Sequence, residues 1–420
     1  MRRTSLWLLV VSCVASQALA QQTYTWQQIK NKFEAANPTL QAGRIGIDES
    51  KASEVTAYLR PNPSLNLSLD GLSIAPHSGI YRPISGLSTQ PGISYLHERD
   101  HKRELRLESA RKGTAIEESQ QSDLERTLLF NLRAAFVQTL QAKAVLQNAV
   151  DNLAYWDREL RITNDRLAAG DIAKVDQQRL ILQRAQFESD YQTASVNLRT
   201  AKIQLLTLLN DRTPIDTFDV TGPFEFAETI PGQDQLRTLA LDNRPDLKAA
   251  VQSIEKAETD HKLAVSNGST DPTFSVWFTN NASNNNPFGQ QTVGGSVNIP
   301  LRIFDRNQGE KARTELDIRK SQREKDAAEA QVFSDVDSAY ASVISTITLL
   351  KSYKANYLEV AASVRETVQF AYNRGGATLI DYLDAEKSYR DVRLAYLNLV
   401  GAFLTAGGQL NMAVGHEVIQ

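Results

Sequence analysis

Cysteine, methionine and histidine are scarce in this 420-residue sequence, at one, two and five residues. That is too little for a disulfide framework or a structural zinc site. Past the N-terminus there is no apolar run of about 18 residues, which excludes a transmembrane helix of the usual kind and leaves any membrane role to strands or to the surface. Nor is there a basic surplus. Lys and Arg number 46 against 49 Asp and Glu, a net charge of -3, which argues against a nucleic-acid partner. Neither a Gly-rich phosphate loop nor a Ser-His-Asp arrangement in recognisable local context occurs. What remains is 41% apolar and 23% charged, neither disordered nor collagen-like, and long enough for two or three ordinary domains.

The N-terminus indicates the compartment. Arg2 and Arg3 precede an apolar stretch from Leu6 to Ala15, and Ala18-Leu19-Ala20 supplies a small-x-small cleavage pattern, so residues 1–20 read as a secretory signal. Its removal takes Arg2, Arg3 and Cys13, the only thiol, which suits an oxidising compartment. The competing reading is a lipoprotein signal cut before Cys13, since Val10-Val11-Ser12-Cys13 loosely fits that pattern.

Two halves then follow one plan. Asn62-Pro63-Ser64-Leu65-Asn66-Leu67 recurs as Asp271-Pro272-Thr273-Phe274-Ser275-Val276, each opening a segment of alternating apolar and polar residues. Gly170 with Asp176 six positions on matches Gly375 with Asp381 six positions on. The first half covers residues 21–210, a connector with Pro214, Gly222, Pro223 and Pro231 covers 211–231, and the second half covers 232–420. Leu124, Leu128, Leu132, Phe136 and Leu140, continued by Val145, Ala149, Leu153, Trp156 and Leu160, predict one helix over ~98–168. At 1.5 Å per residue that is ~105 Å, which no single core of this chain can bury, so the helix must run beside others. A return helix over ~171–210 follows the break at Ala168-Ala169-Gly170. The second half repeats this with helices over ~307–373 and ~378–411 around Gly375-Gly376, the latter carrying Ile380, Leu383, Val392, Tyr396, Leu399 and Phe403. Shorter helices are expected over 25–59, broken at Pro38 and opened by a Thr25/Gln28 capping box, and over 233–266, broken at Pro245.

Four strands are expected, over ~63–73, ~90–97, ~272–280 and ~290–300, making the fold class α+β and mainly α. Leu65, Leu67 and Leu69, then Phe274, Val276 and Phe278, then Val293, Val297 and Ile299 alternate with polar residues. Such segments have the length and dyad pattern of barrel strands in an outer membrane. Four cannot close a barrel, and open edges are not tolerated in lipid, so the chain should oligomerise. Two protomers would supply 8 strands and three would supply 12, of which only the larger leaves an open lumen.

One pattern points elsewhere. His97-Glu98-Arg99-Asp100-His101 fits the H-E-x-x-H spacing of zinc peptidases. Its flanks are charged and no third ligand is marked downstream, so it reads as a solvated strand-to-helix junction, and the chain reads as a non-enzyme with no cofactor. Asn280 to Asn286 with Pro287 reads as a polar extracellular loop.

Taken together, the signal sequence, the repeated strand and long-helix pattern, Arg244-Pro245-Asp246-Leu247, the segment from Ala371-Tyr372-Asn373-Arg374-Gly375 to Asp381-Tyr382-Leu383-Asp384-Ala385, and Ile299-Pro300-Leu301-Arg302-Ile303-Phe304-Asp305-Arg306-Asn307-Gln308-Gly309 resemble a TolC-like outer membrane factor. The last motif is most similar to the CzcC-type heavy-metal efflux branch. The resemblance implies a TolC-like fold with two structural repeats, long coiled-coil hairpins, and four strands per chain in a homotrimeric 12-stranded barrel. It further implies a passive conduit in the outer membrane, its helical tunnel extending into the periplasm toward a periplasmic adaptor and an inner-membrane RND pump, with heavy-metal cations or small toxic compounds as cargo. Asp381 and Asp384 fall where the family places acidic residues lining the periplasmic aperture. Tyr372 and Asp176 match positions whose hydrogen bond helps hold the aperture closed, Ala377 stands where some members carry an Arg of that lock, and Gly170, Gly375 and Gly376 match the hairpin tips that meet the adaptor. A periplasmic helical-hairpin adaptor shares the long helices but should have one hairpin and a compact β-domain.

Overall fold

A computed structural model describes residues 22–76, 78–84, 86–281 and 290–419. The signal segment 1–20, Cys13 and most of the Asn280–Pro287 loop lie outside them. In chain order the elements are β1 (Gln22–Tyr24), α1 (Trp26–Ala36), α2 (Pro38–Tyr58), β2 (Ser64–Asp70), β3 (Ser88–Leu96), α3 (Lys102–Ala168) and α4 (Lys174–Leu208). There follow β4 (Phe218–Val220), α5 (Gln233–Asn243), α6 (Pro245–Asn267), β5 (Thr273–Asn281), β6 (Gln291–Asn298), α7 (Gln308–Ser352), α8 (Leu358–Asn373) and α9 (Leu379–Val414). This is the mainly helical α+β fold that the sequence pattern predicts. Two compact units emerge, and both draw on both halves of the sequence: one holds the described part of Met1–Thr39 with Arg126–Leu236 and Val336–Gln420, the other Leu40–Glu125 with Arg237–Asp335.

In the first unit the predicted stripe of α3 is the core. Leu132, Phe136, Leu140, Ala149 and Trp156 are buried, and Val400, Phe403 and Leu410 of α9 are likewise inside. Thr25 and Gln28 form the expected capping box at the start of α1. The connector is less irregular than its Pro and Gly content suggests. Phe218–Val220 pairs in parallel with Gln22–Tyr24, and Asp219 sits between Lys143 and Lys202. Three-residue strands are too short to show a period. The single helix expected over ~307–373 is divided by a π-helical turn at Tyr353–Tyr357, where the two tyrosine rings meet edge-on at 5.2 Å. Ile380, expected on the inner stripe of α9, is exposed, because it lies in the first turn beside the cap.

The second unit contains an antiparallel sheet ordered β2-β3-β5-β6. Rows across it are chemically uniform: Ser64, Ser94, Ser275 and Ser296 stand in register on one face, while Leu65, Ile93 and Val276 form a row on the other. The apolar face is bare, with all three leucines of β2 and Phe274, Val276 and Phe278 of β5 exposed. β3 was the weakest strand in sequence because Pro91 interrupts it; without an N–H, it falls in the gap of the β3–β5 ladder between Thr89 and Gly92. The strand ends joined to helices all lie at one end of the sheet, where Leu96, Thr273 and Asn298 share a register row. Lys102 and the Arg99 N–H bind the Asp271 carboxylate there at 2.6 and 2.9 Å, tying the start of α3 to the start of β5. That junction corrects the helix start: Asp100 and His101 both have φ near +55° (55° and 56°), so the helix begins at Lys102 rather than ~98.

On the polar face Trp277 lies opposite Gly92 on β3 and Gly294 on β6. A Cβ on Gly294 would stand 2.5 Å from indole Cε2 and 2.7 Å from Nε1, so the ring rests on the bare backbone of β6. Gly294→Val is expected to displace the indole and cost about 1–3 kcal/mol, as overpacking does. Urea unfolding of the detergent-solubilised protein measures it. Adding Trp277→Ala should recover most of the loss, and an unchanged midpoint in the single variant would show that the indole does not use this bed.

Candidate functional site: the hairpin tips and the cluster behind them

The two long hairpins turn in the same way. At the end of α3, Asp171 N–H donates to Arg166 C=O at 2.9 Å and Gly170 N–H to Leu167 C=O at 3.0 Å. At the end of α8, Gly376 N–H donates to Ala371 C=O at 2.8 Å and Gly375 N–H to Tyr372 C=O at 3.1 Å. Both are Schellman turns, whose first residue past the cap must be left-handed. Gly170 (φ 82°) and Gly375 (φ 78°) fill that position; Gly376 does not have positive φ and serves as the donor that closes the turn. Glycine is therefore required at the first two by backbone conformation.

The return helices begin differently. Thr378 caps α9, and Asp381 completes a capping box: its carboxylate accepts from Thr378 N–H at 2.9 Å and from Thr378 Oγ1 at 2.7 Å. These bonds to the charged form hold the Asp381 carboxyl below its ordinary range. Asp384 is exposed one turn further along the same face. Asp176 occupies the matching first-turn position in α4, but its cap is Ala173, which offers no side chain, and its carboxylate lies 3.9 Å from Arg179. Immediately before Asp176 and Asp381 stand the exposed β-branched residues Val175 and Ile380, for which the sequence carries no tip signal.

Tyr372 is held by rings. It stacks on Tyr382 at 5.1 Å with the planes 1° apart, and the Arg166 guanidinium lies 5.5 Å from its centroid. The hydrogen bond to Asp176 implied by the resemblance is not found among the described residues. Burial against this stack pushes the Tyr372 phenol up. Behind it, Trp156 stacks on Phe187 at 5.2 Å, and with Leu180, Leu379 and Tyr382 forms an apolar cluster joining α3, α4 and α9.

A polar network passes through that cluster. Tyr155 and Tyr382 hydroxyls are 2.8 Å apart, Tyr155 O–H donates to the Glu386 carboxylate at 3.0 Å, and Gln369 Nε2 donates to Tyr155 at 2.7 Å and to Glu159 at 3.3 Å. Because Tyr155 gives its proton to Glu386, the Tyr382 hydroxyl is the donor between the two phenols. Glu386 is only 4% exposed. Burial pushes both Glu386 and Glu159 above the ordinary carboxylate range, partly offset by these hydrogen bonds. In sequence, Glu386 looked like any glutamate of an exposed helix face.

The zinc-peptidase spacing is not realised as a helix. His97 is exposed with its ring edge toward Phe274, His101 is left-handed, and both Glu98 oxygens accept from Arg106 at 2.5 and 2.8 Å. Among the described residues no group of three or more His, Cys, Asp or Glu is placed to hold a metal ion, and no helix is long and apolar enough to cross a membrane.

Comparison with known proteins bears on this geometry. The family model "Outer membrane efflux protein" matches residues 236–416. The chain is 21% identical to the cobalt-zinc-cadmium resistance protein CzcC of Cupriavidus metallidurans, over 90% of this chain and 87% of that protein, and 22% identical to the outer membrane protein TolC of Escherichia coli, over 94% and 83%. The chain is thus similar over residues 236–416 to the outer membrane efflux proteins, and over most of its length to CzcC and TolC. Among solved structures the chain is similar in fold to CusC, with a TM-score of 0.75 at 18% identity over 93% of this chain and 92% of that one. In this chain the tips and the cluster behind them occupy both hairpins of one unit.

The buried acids give the chain a pH dependence with a defined sign. A carboxyl raised in the folded state stabilises the fold while protonated, and that contribution is lost as pH rises from the unfolded value of 4.5 through the folded pKa. Each unit of elevation is worth about 1.4 kcal/mol. Glu386→Gln should therefore flatten the fall in thermal midpoint over that rise and raise it at neutral pH. Parallel pH profiles for variant and parent would show that Glu386 is not the titrating group.

Proposed function

We propose that three copies of this chain form a passive outer-membrane conduit of a tripartite export system, with a shared 12-stranded barrel and a helical tunnel in the periplasm. The observation that carries this reading is the four-stranded sheet, one face apolar and bare, the other polar and crossed by a row of four serines, with β2 and β6 each paired on one side only among the described residues. Lipid tolerates no open sheet edge, so pairing β2 of one copy with β6 of the next satisfies both edges at once and puts the serine row on a water-filled lumen. Similarity to outer membrane efflux proteins supports the same location and the same transport role.

In this reading the hairpin tips at Gly170, Gly375 and Gly376, with Val175 and Ile380 exposed beside them, meet a periplasmic adaptor, and an inner-membrane RND pump supplies the energy. Asp381 and Asp384 of three chains place six carboxylates around the aperture. Like charges in a narrow pore attract cations and resist compaction. Arg166, held over Tyr372, supplies the cation that Ala377 does not. The relative named for cobalt, zinc and cadmium resistance favours divalent metal ions as cargo.

Two experiments test this. Asp381→Ala with Asp384→Ala should raise single-channel conductance in planar bilayers and reduce cation selectivity; unchanged currents and selectivity would remove the charged-aperture role. Deletion of the gene followed by growth on divalent metals, dyes and antibiotics should give metal-specific sensitivity. Broad drug sensitivity with normal metal tolerance would overturn the cargo assignment.

A further inference from the structure

The paired strands are short for their task. β2 has 7 residues and β6 has 8, against the ~9–11 of a tilted barrel strand. Yet the alternation of β6 does not stop where its pairing with β5 stops, at Asn298. Val293 and Val297 are followed at the same two-residue period by Ile299, Leu301 and Ile303, and all five are exposed. Leu301 is 78% and Phe304 90% exposed, in a segment with no strand partner. In water such a run gains nothing from keeping a strand's apolar period. It leaves the sheet at the end where the helices join, and it carries Arg302 and Arg306, while its one acid, Asp305, accepts from Asn307 N–H at 2.8 Å.

We propose that Ile299–Phe304, with Arg302 and Arg306, is an interfacial anchor for the phospholipid leaflet at the helical end of the sheet. The apolar side chains prolong the lipid-facing surface that β6 begins, and the two guanidinium groups reach anionic headgroup phosphates, a combination that suits the boundary between acyl chains and headgroups. Two arguments commit the surface to lipid: its continuity with the bare apolar face of the sheet, and the match of an apolar edge flanked by cations to a phosphate-bearing leaflet. The inference rests on the channel reading above, and its test separates the two.

Cys13, the only cysteine of the sequence, is replaced by Ser, and single labelling sites are made as Phe304→Cys, Val276→Cys on the apolar sheet face and Val360→Cys on α8. Each full-length chain, carrying an environment-sensitive fluorophore, is reconstituted into phosphatidylcholine vesicles with or without phosphatidylglycerol, doped with nitroxide lipids labelled at the headgroup or mid-chain. The expected result is strong mid-chain quenching at 276, headgroup quenching at 304 several-fold above that at 360, and a gain at 304 on adding phosphatidylglycerol that Arg302→Gln with Arg306→Gln abolishes. Quenching at 276 without quenching at 304 overturns the anchor and leaves the channel standing. Loss of quenching at 276 overturns the channel reading itself. A label at 304 that is shielded from water, unquenched by lipid and crosslinked to a second copy assigns the segment to a protomer contact and overturns the anchor, and a phosphatidylglycerol gain that survives the double Gln variant overturns the role of the arginines.

Discussion

Everything in this molecule depends on how two open strand edges are satisfied. The sheet offers leucine, isoleucine, valine and phenylalanine on one face and serine, asparagine and threonine on the other, with unpaired backbone groups left along β2 and β6. Water accepts the edges but not the apolar face, and lipid accepts the face but not the edges. In the proposed channel, closure on further copies would satisfy both. The register is compatible with that, because the strand ends joined to helices lie together at one end of the sheet. Trp277 fits the same demand: resting on Gly294, it covers backbone without breaking the rows of small polar side chains around it.

At the other extreme of the helices the governing constraint is chain reversal. Both hairpins end in Schellman turns with a left-handed glycine, so the turns are equivalent, and the difference between repeats lies in the next residues. Thr378 gives α9 a side-chain cap and fixes Asp381, while Ala173 gives α4 none. Asp381 thus does two things at once, closing the helix start and keeping a carboxylate ionised to lower pH than usual. Glu386, little more than one turn further along α9, is the opposite case. Its charge is disfavoured by burial and accommodated through Tyr155 and Gln369. One helix therefore carries a constitutive charge at its exposed start and a conditional one at its buried flank.

How much of this the sequence discloses depends on the range of the interaction. The four-residue stripe from Leu132 to Leu140, the capping box of Thr25 and Gln28, the breaks at Pro38 and Pro245 and the alternation of Phe274, Val276 and Phe278 are local signals, and each has its element in the structure. The left-handed pair Asp100 and His101 is local too, but neither residue type demands positive φ, so the helix start was placed early. β1 and β4 meet across nearly 200 residues with three residues each, below the length at which a period exists. The site divides along the same line. Gly170, Gly375 and Asp381 are legible because their roles are set by neighbours within a turn. Glu386 is not, since what distinguishes it from an exposed glutamate is a hydroxyl 231 positions away. Tyr372 shows a third case: a position matched by resemblance whose contacts here are aromatic stacking and Arg166 rather than a carboxylate.

The distribution of specific interactions also bears on where selectivity resides. The residues with demanding geometry are those that close the sheet, turn the hairpins and pack the helices: Gly294 under Trp277, the tip glycines, and Trp156 among Phe187 and Tyr382. Asp381 and Asp384, by contrast, are exposed, and in the proposed aperture such carboxylates would discriminate by sign of charge and not by ion identity. A conduit of this kind is under tight physical demand to assemble and to stay shut, and under loose demand about what passes. The identities to CzcC and to TolC, 21% and 22%, are similar, which fits a conduit, as proposed, whose cargo is chosen by the protein that loads it.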